Sequence, residues 1–278
     1  MIEKQLKQFY IDGIPRINCL KTGEGPPIIF LHGIGGNSSN WIEQQVYFSE
    51  LFTTFSWDAR GYGKSDDYKG ALKFSDFSHD LLRLLDHLSI NKAHLVGLSM
   101  GARILMDFYS KYSNRVATLT LCDCFYNYKT FLSPIQKNEY LDIRQKPLLE
   151  GKSFEELAPK IIKSLVGPNC LNSVKEKVFD SLKIIHVKSY LKTIRESINY
   201  DVSKSLSNID IPVQLIFGEY DTLTPPAIGY SIKKMINNAE LDIIDNAGHL
   251  TNMEQPDAFN EVLIKFLLQY QYMASFYE

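Results

Sequence analysis

The sequence predicts an α/β protein built on a mainly parallel sheet, interrupted once by an all-helical segment. Three observations predict it. Short apolar runs, such as 27–31, 116–122 and 212–217, alternate along the chain with stretches patterned at helical spacing. The alternation stops between about 125 and 206, where only helical patterns and helix breakers occur, and then resumes. At Gly97-Leu98-Ser99-Met100-Gly101 a strand-like run meets a helix-like run across a turn flanked by glycines.

Residues 5–11 and 15–21 alternate apolar and polar around Asp12-Gly13, which signals a hairpin and an antiparallel start. Pro27-Ile28-Ile29-Phe30-Leu31 is too short for a helix and apolar throughout, as a strand buried on both faces requires. It ends in His32-Gly33-Ile34-Gly35-Gly36. A helix at about 39–48, a strand over Phe52 to Trp57 and a loop from Asp58 to Ser65 follow. Phe77, Leu81, Leu84, Leu85 and Leu88 recur at helical spacing. Leu95-Val96 leads into the glycine turn, a helix runs from about 100 to 113, and Val116 to Cys122 is the next strand.

In the interruption, helices are predicted at roughly 133–145, 153–165, 172–183 and 187–198, separated by Pro147, Gly151 and Gly167-Pro168. This gives a core of residues 1–124 and 207–278 and a helical lid, 125–206, over the strand ends. Phe125, Tyr126, Tyr128 and Phe131 near its entry either face the site or fill the core of the lid. The sheet rhythm returns with Pro212 to Gly218, a helix starting near Pro225-Pro226, a strand over Leu241 to Ile244, the loop Asp245-Asn246-Ala247-Gly248-His249 and a helix at about 256–270. The tail Tyr270-Gln271-Tyr272-Met273 carries no signal.

Composition narrows the function. With 278 residues, 45% hydrophobic and 22% charged, the chain can bury a sizeable core. A net charge of −2 gives no electrostatic reason to expect nucleic acid or an anionic membrane as partner. Charges in Met1 to Lys7, and no run of about 18 apolar residues, point to a cytoplasmic protein. Cys19, Cys122, Cys124 and Cys170 make no Cys-x-x-Cys pair. Cys122-x-Cys124 could bind metal or cycle redox, but at the end of an apolar run both are expected to be buried small hydrophobes. No metal and no cofactor is expected. Gly33-Ile34-Gly35-Gly36-Asn37-Ser38 misses the third glycine of a dinucleotide fingerprint, although Asp58 after the next strand would imitate its ribose acid. Gly63-Lys64-Ser65 ends like a phosphate-binding loop, but that pattern needs glycine at 58, where aspartate stands.

The chemistry centres on Ser99. Gly97-x-Ser99-x-Gly101 fits a strand-to-helix bend that strains the serine backbone and lifts its Oγ clear of the sheet, with side chains at 97 or 101 forbidden by close packing. A serine hydroxyl needs an imidazole to take its proton and an acid to orient that imidazole. His249 sits in a loop just past a buried strand and Asp221 just past another. Glu219 and Asp123 compete with Asp221, Asp123 the more seriously because it follows the strand after the serine. Of the other histidines, His79 and His87 fall on a helix surface, His94 on a strand and His186 among the lid helices, and only His32 shares the loop setting of His249. Oxyanion donors would be the backbone N–H groups of Met100, at a helix start, and Ile34, in the glycine-rich loop.

Together these residues resemble the α/β-hydrolase superfamily along nearly the whole chain. The resemblance rests on Leu31-His32-Gly33-Ile34-Gly35-Gly36, Asp58-Ala59-Arg60-Gly61-Tyr62-Gly63-Lys64-Ser65, Gly97-Leu98-Ser99-Met100-Gly101, Gly218-Glu219-Tyr220-Asp221 and Ala247-Gly248-His249, in that order. It implies a mostly parallel eight-stranded sheet, a Ser99 nucleophile, a His249 base, an Asp221 orienting acid, and oxyanion donors at Ile34 and Met100. Within the superfamily, Gly97 to Gly101 and His249-Leu250-Thr251-Asn252-Met253-Glu254-Gln255-Pro256 look most like 3-oxoadipate enol-lactonases and related carboxylesterases. The expected reaction is hydrolysis of a small ester or lactone through an acyl-enzyme. Carbon–carbon bond hydrolysis, acyl transfer, and a ligand sensor that keeps the triad are the alternatives.

Overall fold

The computed structural model describes residues 6–277. The chain opens on an antiparallel hairpin of β1 (Lys7–Ile11) and β2 (Ile17–Thr22), as the alternating pattern predicts. Residue 5, the start of the expected first strand, lies outside the described residues. The strands β3 (Pro27–Leu31), β4 (Thr53–Trp57), β5 (Ile90–Leu98), β6 (Val116–Cys122), β7 (Val213–Gly218) and β8 (Ala239–Ile244) complete a sheet ordered β1-β2-β4-β3-β5-β6-β7-β8. From β4 through β8 neighbours are parallel. Every residue of β3, β4, β6 and β7 is buried, which is why these segments read as unbroken apolar or small-residue runs.

Strand order reverses at β3: the chain leaves it to form β4 on one side and returns to form β5 on the other. Such a switch opens a crevice beyond the carboxyl ends of the two central strands, where the following loops diverge. Leu31 pairs with Gly97, so the loop from His32 and the turn at Ser99 leave the sheet side by side. The helices α1 (Ile42–Phe48), α2 (Ser75–His87) and α3 (Met100–Tyr112) follow β3, β4 and β5. The helix expected at 39–48 is preceded by a 3-10 turn over Ser38–Trp41, capped by Asn37.

Between β6 and β7 come seven helices: α4 (Tyr128–Phe131), α5 (Pro134–Arg144), α6 (Lys146–Leu149), α7 (Phe154–Lys163), α8 (Asn172–Lys183), α9 (Val187–Asn199) and α10 (Ser203–Leu206). The four long ones match the predicted spans to within two residues; the single-turn helices α4, α6 and α10 are too short to show a period. Ser133 and Ser153 begin α5 and α7 with reciprocal capping boxes to Gln136 and Glu156. The segment runs from α10 into β7; α11 (Pro226–Met235) links β7 to β8, and α12 (Thr251–Glu254) and α13 (Pro256–Tyr270) follow β8, the last as predicted.

One element lies beyond the sequence reading. Ser275–Phe276 forms β9, antiparallel to the start of β5, and the Tyr277 N–H donates to the Ser89 carbonyl at 2.7 Å. The sheet therefore has a ninth strand, two residues long, which no periodicity could announce.

Candidate active site

Ser99 stands at the bend between β5 and α3 with φ 55° and ψ −109°, a left-handed conformation that an L-residue adopts only under constraint. The constraint is visible. Its N–H donates to the Cys122 carbonyl at 2.8 Å, and its own carbonyl accepts from the Arg103 N–H at 3.2 Å. A Cβ at Gly97 would lie 2.5 Å from the Gly101 backbone, and one at Gly101 would lie 2.3 Å from the Leu31 carbonyl oxygen. The two glycines thus let the helix approach its own strand and its neighbour.

Asp221 and His249 come together as the sequence suggests. His249 Nδ1 lies 2.8 Å from Asp221 Oδ2 and 3.1 Å from Thr224 Oγ1. The other carboxylate oxygen, Oδ1, accepts the Leu223 and Thr224 N–H groups at 2.8 and 2.9 Å, and the Thr224 hydroxyl donates to Oδ2. Burial pushes the Asp221 carboxyl up, but the adjacent His249 and these donors outweigh it and hold the group below the usual carboxylate range. Asp221 is buried and ionised, and an ionised acceptor fixes the proton of His249 on Nδ1, leaving Nε2 to accept.

The rivals are placed elsewhere. Asp123, also at positive φ, accepts the Gly218 N–H at 2.8 Å and the Thr251 hydroxyl at 2.6 Å. Burial and the charge on Asp221 push its carboxyl well above the usual range. Glu219 is exposed and accepts the Asn246 N–H. His32 is buried beneath the loop that it begins: Nε2 accepts the Ala59 N–H at 3.0 Å and Nδ1 lies 2.7 Å from the Gly33 carbonyl, with burial lowering its basicity. It pins two loops together. His79 and His87 are exposed on α2, and His94 is buried against Thr118. Asp58 is spent on the Asn18 side chain and the N–H groups of Ser38 and Lys64, leaving no free acid for a ribose. All four cysteines are buried free thiols.

Ser99 and His249 face each other across a shared space. Both line a cleft with about 540 Å³ of free space, open solvent included, under the helices between β6 and β7, and both line a second with about 370 Å³ walled by Trp41, Leu98 and Met253. In each, the room for a molecule the size of water is about 30 Å³. Among the described residues no hydrogen bond joins the Ser99 hydroxyl to the imidazole; such bonds are often long without substrate and tighten in its complex. Met100 is the first residue of α3, so its N–H has no acceptor within the helix. Among the described residues the Ile34 N–H makes no hydrogen bond either, and both residues line the larger cavity beside Ser99. Of the entry aromatics, Phe125 and Tyr128 line that cavity. Tyr126 and Phe131 instead pack edge to face against each other at 4.9 Å.

Several supports escaped the sequence. Glu254 accepts the N–H groups of Gly248 and Leu250 on one oxygen and of Gly167 on the other, at 3.0, 3.2 and 2.7 Å. The His249 N–H donates to the Leu165 carbonyl at 2.7 Å. The histidine loop is therefore laced to the segment between α7 and α8. Thr224 was equally unread, although its place three residues after Asp221 suits a hydroxyl that closes back on the carboxylate.

Comparison with known proteins agrees with this geometry. Residues 26–151 match the family model described as the alpha/beta hydrolase fold. The chain is 27% identical over 245 residues to 3-oxoadipate enol-lactonase 2 of Acinetobacter baylyi, covering 86% of this chain and 87% of that one. Among solved structures it is similar to a thermophilic esterase from Thermogutta terrifontis, with TM-score 0.84, 25% identity and coverage of 96% and 99%. The enol-lactonase from Burkholderia xenovorans LB400 superposes with TM-score 0.85 at 23% identity, covering 94% of this chain and all of that one, a likeness of fold. With a mainly parallel sheet whose strand order reverses at β3, a strained serine at the end of β5 and these likenesses, the chain has the α/β-hydrolase fold.

Proposed function

We propose that this protein is a serine hydrolase that cleaves a small carboxylic ester or lactone through an acyl-enzyme. The observation that carries the proposal is the strained Ser99 sharing a cavity with a His249 imidazole whose Nδ1 is held by a buried, ionised Asp221. In this reading His249 Nε2 takes the proton of Ser99 as the hydroxyl attacks the carbonyl carbon. The imidazolium that forms is stabilised by Asp221 and returns the proton to the leaving oxygen. Water, deprotonated by the same nitrogen, then releases the acid. The N–H groups of Ile34 and Met100 would stabilise the oxyanion, the second aided by the positive end of α3.

The segment 125–206 would act as the lid: its Tyr128, Tyr140 and Tyr190 roof the larger cavity, and removing water there strengthens every polar contact beneath. The relatives named as enol-lactonase and esterase support a carboxylic ester or lactone as the bond cleaved. The proposed compartment is the cytoplasm, on the four free buried thiols. Among the described residues no helix is long and apolar enough to cross a membrane.

The test is turnover of p-nitrophenyl acetate with labelling by a serine-directed fluorophosphonate. Wild type is expected to do both. Ser99→Ala, folded by circular dichroism, is expected to lose the label and at least about 10³-fold in rate. Turnover by the variant at the wild-type rate would remove Ser99 from the mechanism.

A further inference from the structure

The two clefts at Ser99 are tight. Each leaves about 30 Å³ of room for a molecule the size of water, enough for a reacting carbonyl and little more. Beside them lies a groove where that room is about 430 Å³. One wall is the 3-10 turn and the start of α1, with Asn40 and Ile42; the other is α8 and the residue that ends it, with Ser181 and Ile184.

Groove and smaller cleft share a partition. Asn40 and Met253 line both, and Ser99 and His249 stand on the cleft side. Trp41 faces the cleft while Ile42, next along the chain, faces the groove, so the turn between β3 and α1 runs along the divide. Its base is fixed: the Asn252 side chain donates to the Asn40 carbonyl at 2.9 Å and to the Gln44 side-chain oxygen at 3.3 Å. Met253 is different, because an unbranched side chain with three rotatable bonds turns aside at little cost. Across the groove α8 is fastened by Asn40 Nδ2 to the Ser181 hydroxyl at 3.1 Å and by the exposed pair of Lys177 with Glu43. A neutral bond and a surface ion pair are weak fastenings.

The lining selects the occupant. Its charges are already matched, Lys177 with Glu43 and Asp180 with Lys183 at 3.1 Å. The Asn37 side chain accepts the N–H and the hydroxyl of Ser39, and the Asn40 oxygen accepts the Asn37 N–H. What stays uncommitted is apolar: Ile42, Met253 and Ile184, the last 50% exposed beside the mouth of the site. Such a surface suits an uncharged chain and gives an ion nothing to pair with.

Resting on the hydrolase reading above, we propose that the groove is a binding site for an unbranched, uncharged alkyl arm of the ester, which reaches it from Ser99 past Met253. The reacting group fills the tight cleft and the arm lies between Ile42 and Ile184. Each methylene laid there takes apolar surface of chain and groove out of water, so kcat/KM rises with chain length until the groove is full.

Two ester series identify the arm. p-Nitrophenyl acetate, butyrate, hexanoate and octanoate lengthen the acyl side, and ethyl, butyl, hexyl and octyl acetate lengthen the alcohol side. One series is expected to gain ten-fold or more in kcat/KM from its shortest to its longest member. In Ile184→Glu, which sets a charge in the groove at an exposed position, that gain should fall to near one.

Placement is read without turnover. Ile184→Cys adds an exposed thiol to four buried ones. After Ser99 is labelled with an octyl or dodecyl fluorophosphonate, this thiol should react with an aromatic disulfide at least five-fold more slowly than after labelling with a methyl one. Equal rates, with Ser99 labelled by all three reagents, would overturn the alkyl site and leave the hydrolase reading standing, as would two flat ester series with Ser99-dependent turnover. If Ser99 takes no label and no ester is cleaved, the hydrolase reading falls. In that case octan-1-ol slowing the thiol reaction where ethanol does not would keep the groove as an alkyl-binding site, and no slowing would overturn that as well.

Discussion

Replacing Asp221 and, separately, Asp123 by asparagine discriminates two buried acids that both follow central strands. In Asp221→Asn the amide oxygen is drawn to the Leu223 and Thr224 N–H groups, now 2.8 and 2.9 Å from Oδ1. The NH2 group must then take the place of Oδ2 and point at His249 Nδ1. A donor there forces Nδ1 to accept, so the proton moves to Nε2 and the imidazole can no longer take one from Ser99. Where this tautomer inversion has been produced in Ser-His-Asp triads the loss is about 10⁴-fold, or about 5.5 kcal/mol of transition-state stabilisation. Asp123 behaves oppositely. It accepts the Gly218 N–H on one oxygen and the Thr251 hydroxyl on the other; an asparagine keeps the first contact through its amide oxygen and can donate its NH2 to the Thr251 hydroxyl oxygen in place of the second. Asp123→Asn is expected to keep kcat within about ten-fold. The assay is p-nitrophenyl acetate hydrolysis at pH 7–8 with circular dichroism on each variant. A 10⁴-fold loss in folded Asp123→Asn, with Asp221→Asn active, would reverse the assignment.

The same pair makes a statement about pH and stability. Asp221 has a depressed folded pKa, so its contribution is full above the unfolded value of about 3.9 and is lost as pH falls through the folded one. Asp123 has a raised folded pKa, so its contribution is full below about pH 3.9 and is lost as pH rises toward the folded value. In urea titrations between pH 3 and 8, Asp123→Asn should gain on wild type as pH rises, and Asp221→Asn should lose. Parallel curves for all three proteins would contradict both directions.

Two further substitutions test the supports of the site. Gly101→Ala ought to stabilise an ordinary helix by about 1 kcal/mol, yet its Cβ would lie 2.3 Å from the Leu31 carbonyl oxygen, which is fixed in the sheet. Overpacking of this kind costs about 3 kcal/mol, a fall in Tm of about 6–12 °C for a chain of this size; a raised Tm in a thermal melt would refute the close approach. In Glu254→Gln only one side-chain oxygen remains to serve three N–H groups, and the amide NH2 faces a donor. Losing a charge-assisted contact of about 1.4 kcal/mol should lower kcat/KM about ten-fold and speed hydrogen exchange at Gly167 and Gly248; unchanged exchange would leave the loop independent of Glu254.

What the sequence revealed and what it hid divide along the range of the forces involved. Ser99 could be read because its strain is local: five consecutive residues specify the bend, and the glycines that permit it are inside those five. The long helices between β6 and β7 could be read for the same reason, since caps such as Ser133 with Gln136 are complete within four residues. Choosing Asp221 over Asp123 was beyond local reasoning. Both follow buried strands, and the choice turns on Thr224 and two loop N–H groups aiming one carboxylate at His249 while Thr251 and Gly218 occupy the other.

The two arginines that line the larger cleft, Arg103 and Arg144, lie further still from what a pattern shows. On an amphipathic helix an arginine is read as solvent-facing, because its stem can lie along apolar surface while the guanidinium stays wet. Arg103 and Arg144 break that rule through contacts made across the fold: the acceptors of Arg103 lie on α9, far along the chain, and those of Arg144 beyond α7. Neither packing partner has a signature near the arginine, so the sequence presents two ordinary helical charges. Their burial is an outcome of how α5 and α9 settle over α3. It follows that the residues proposed to react announce themselves in this chain through local sequence, whereas the side chains that line the cavity from the helices between β6 and β7 do not.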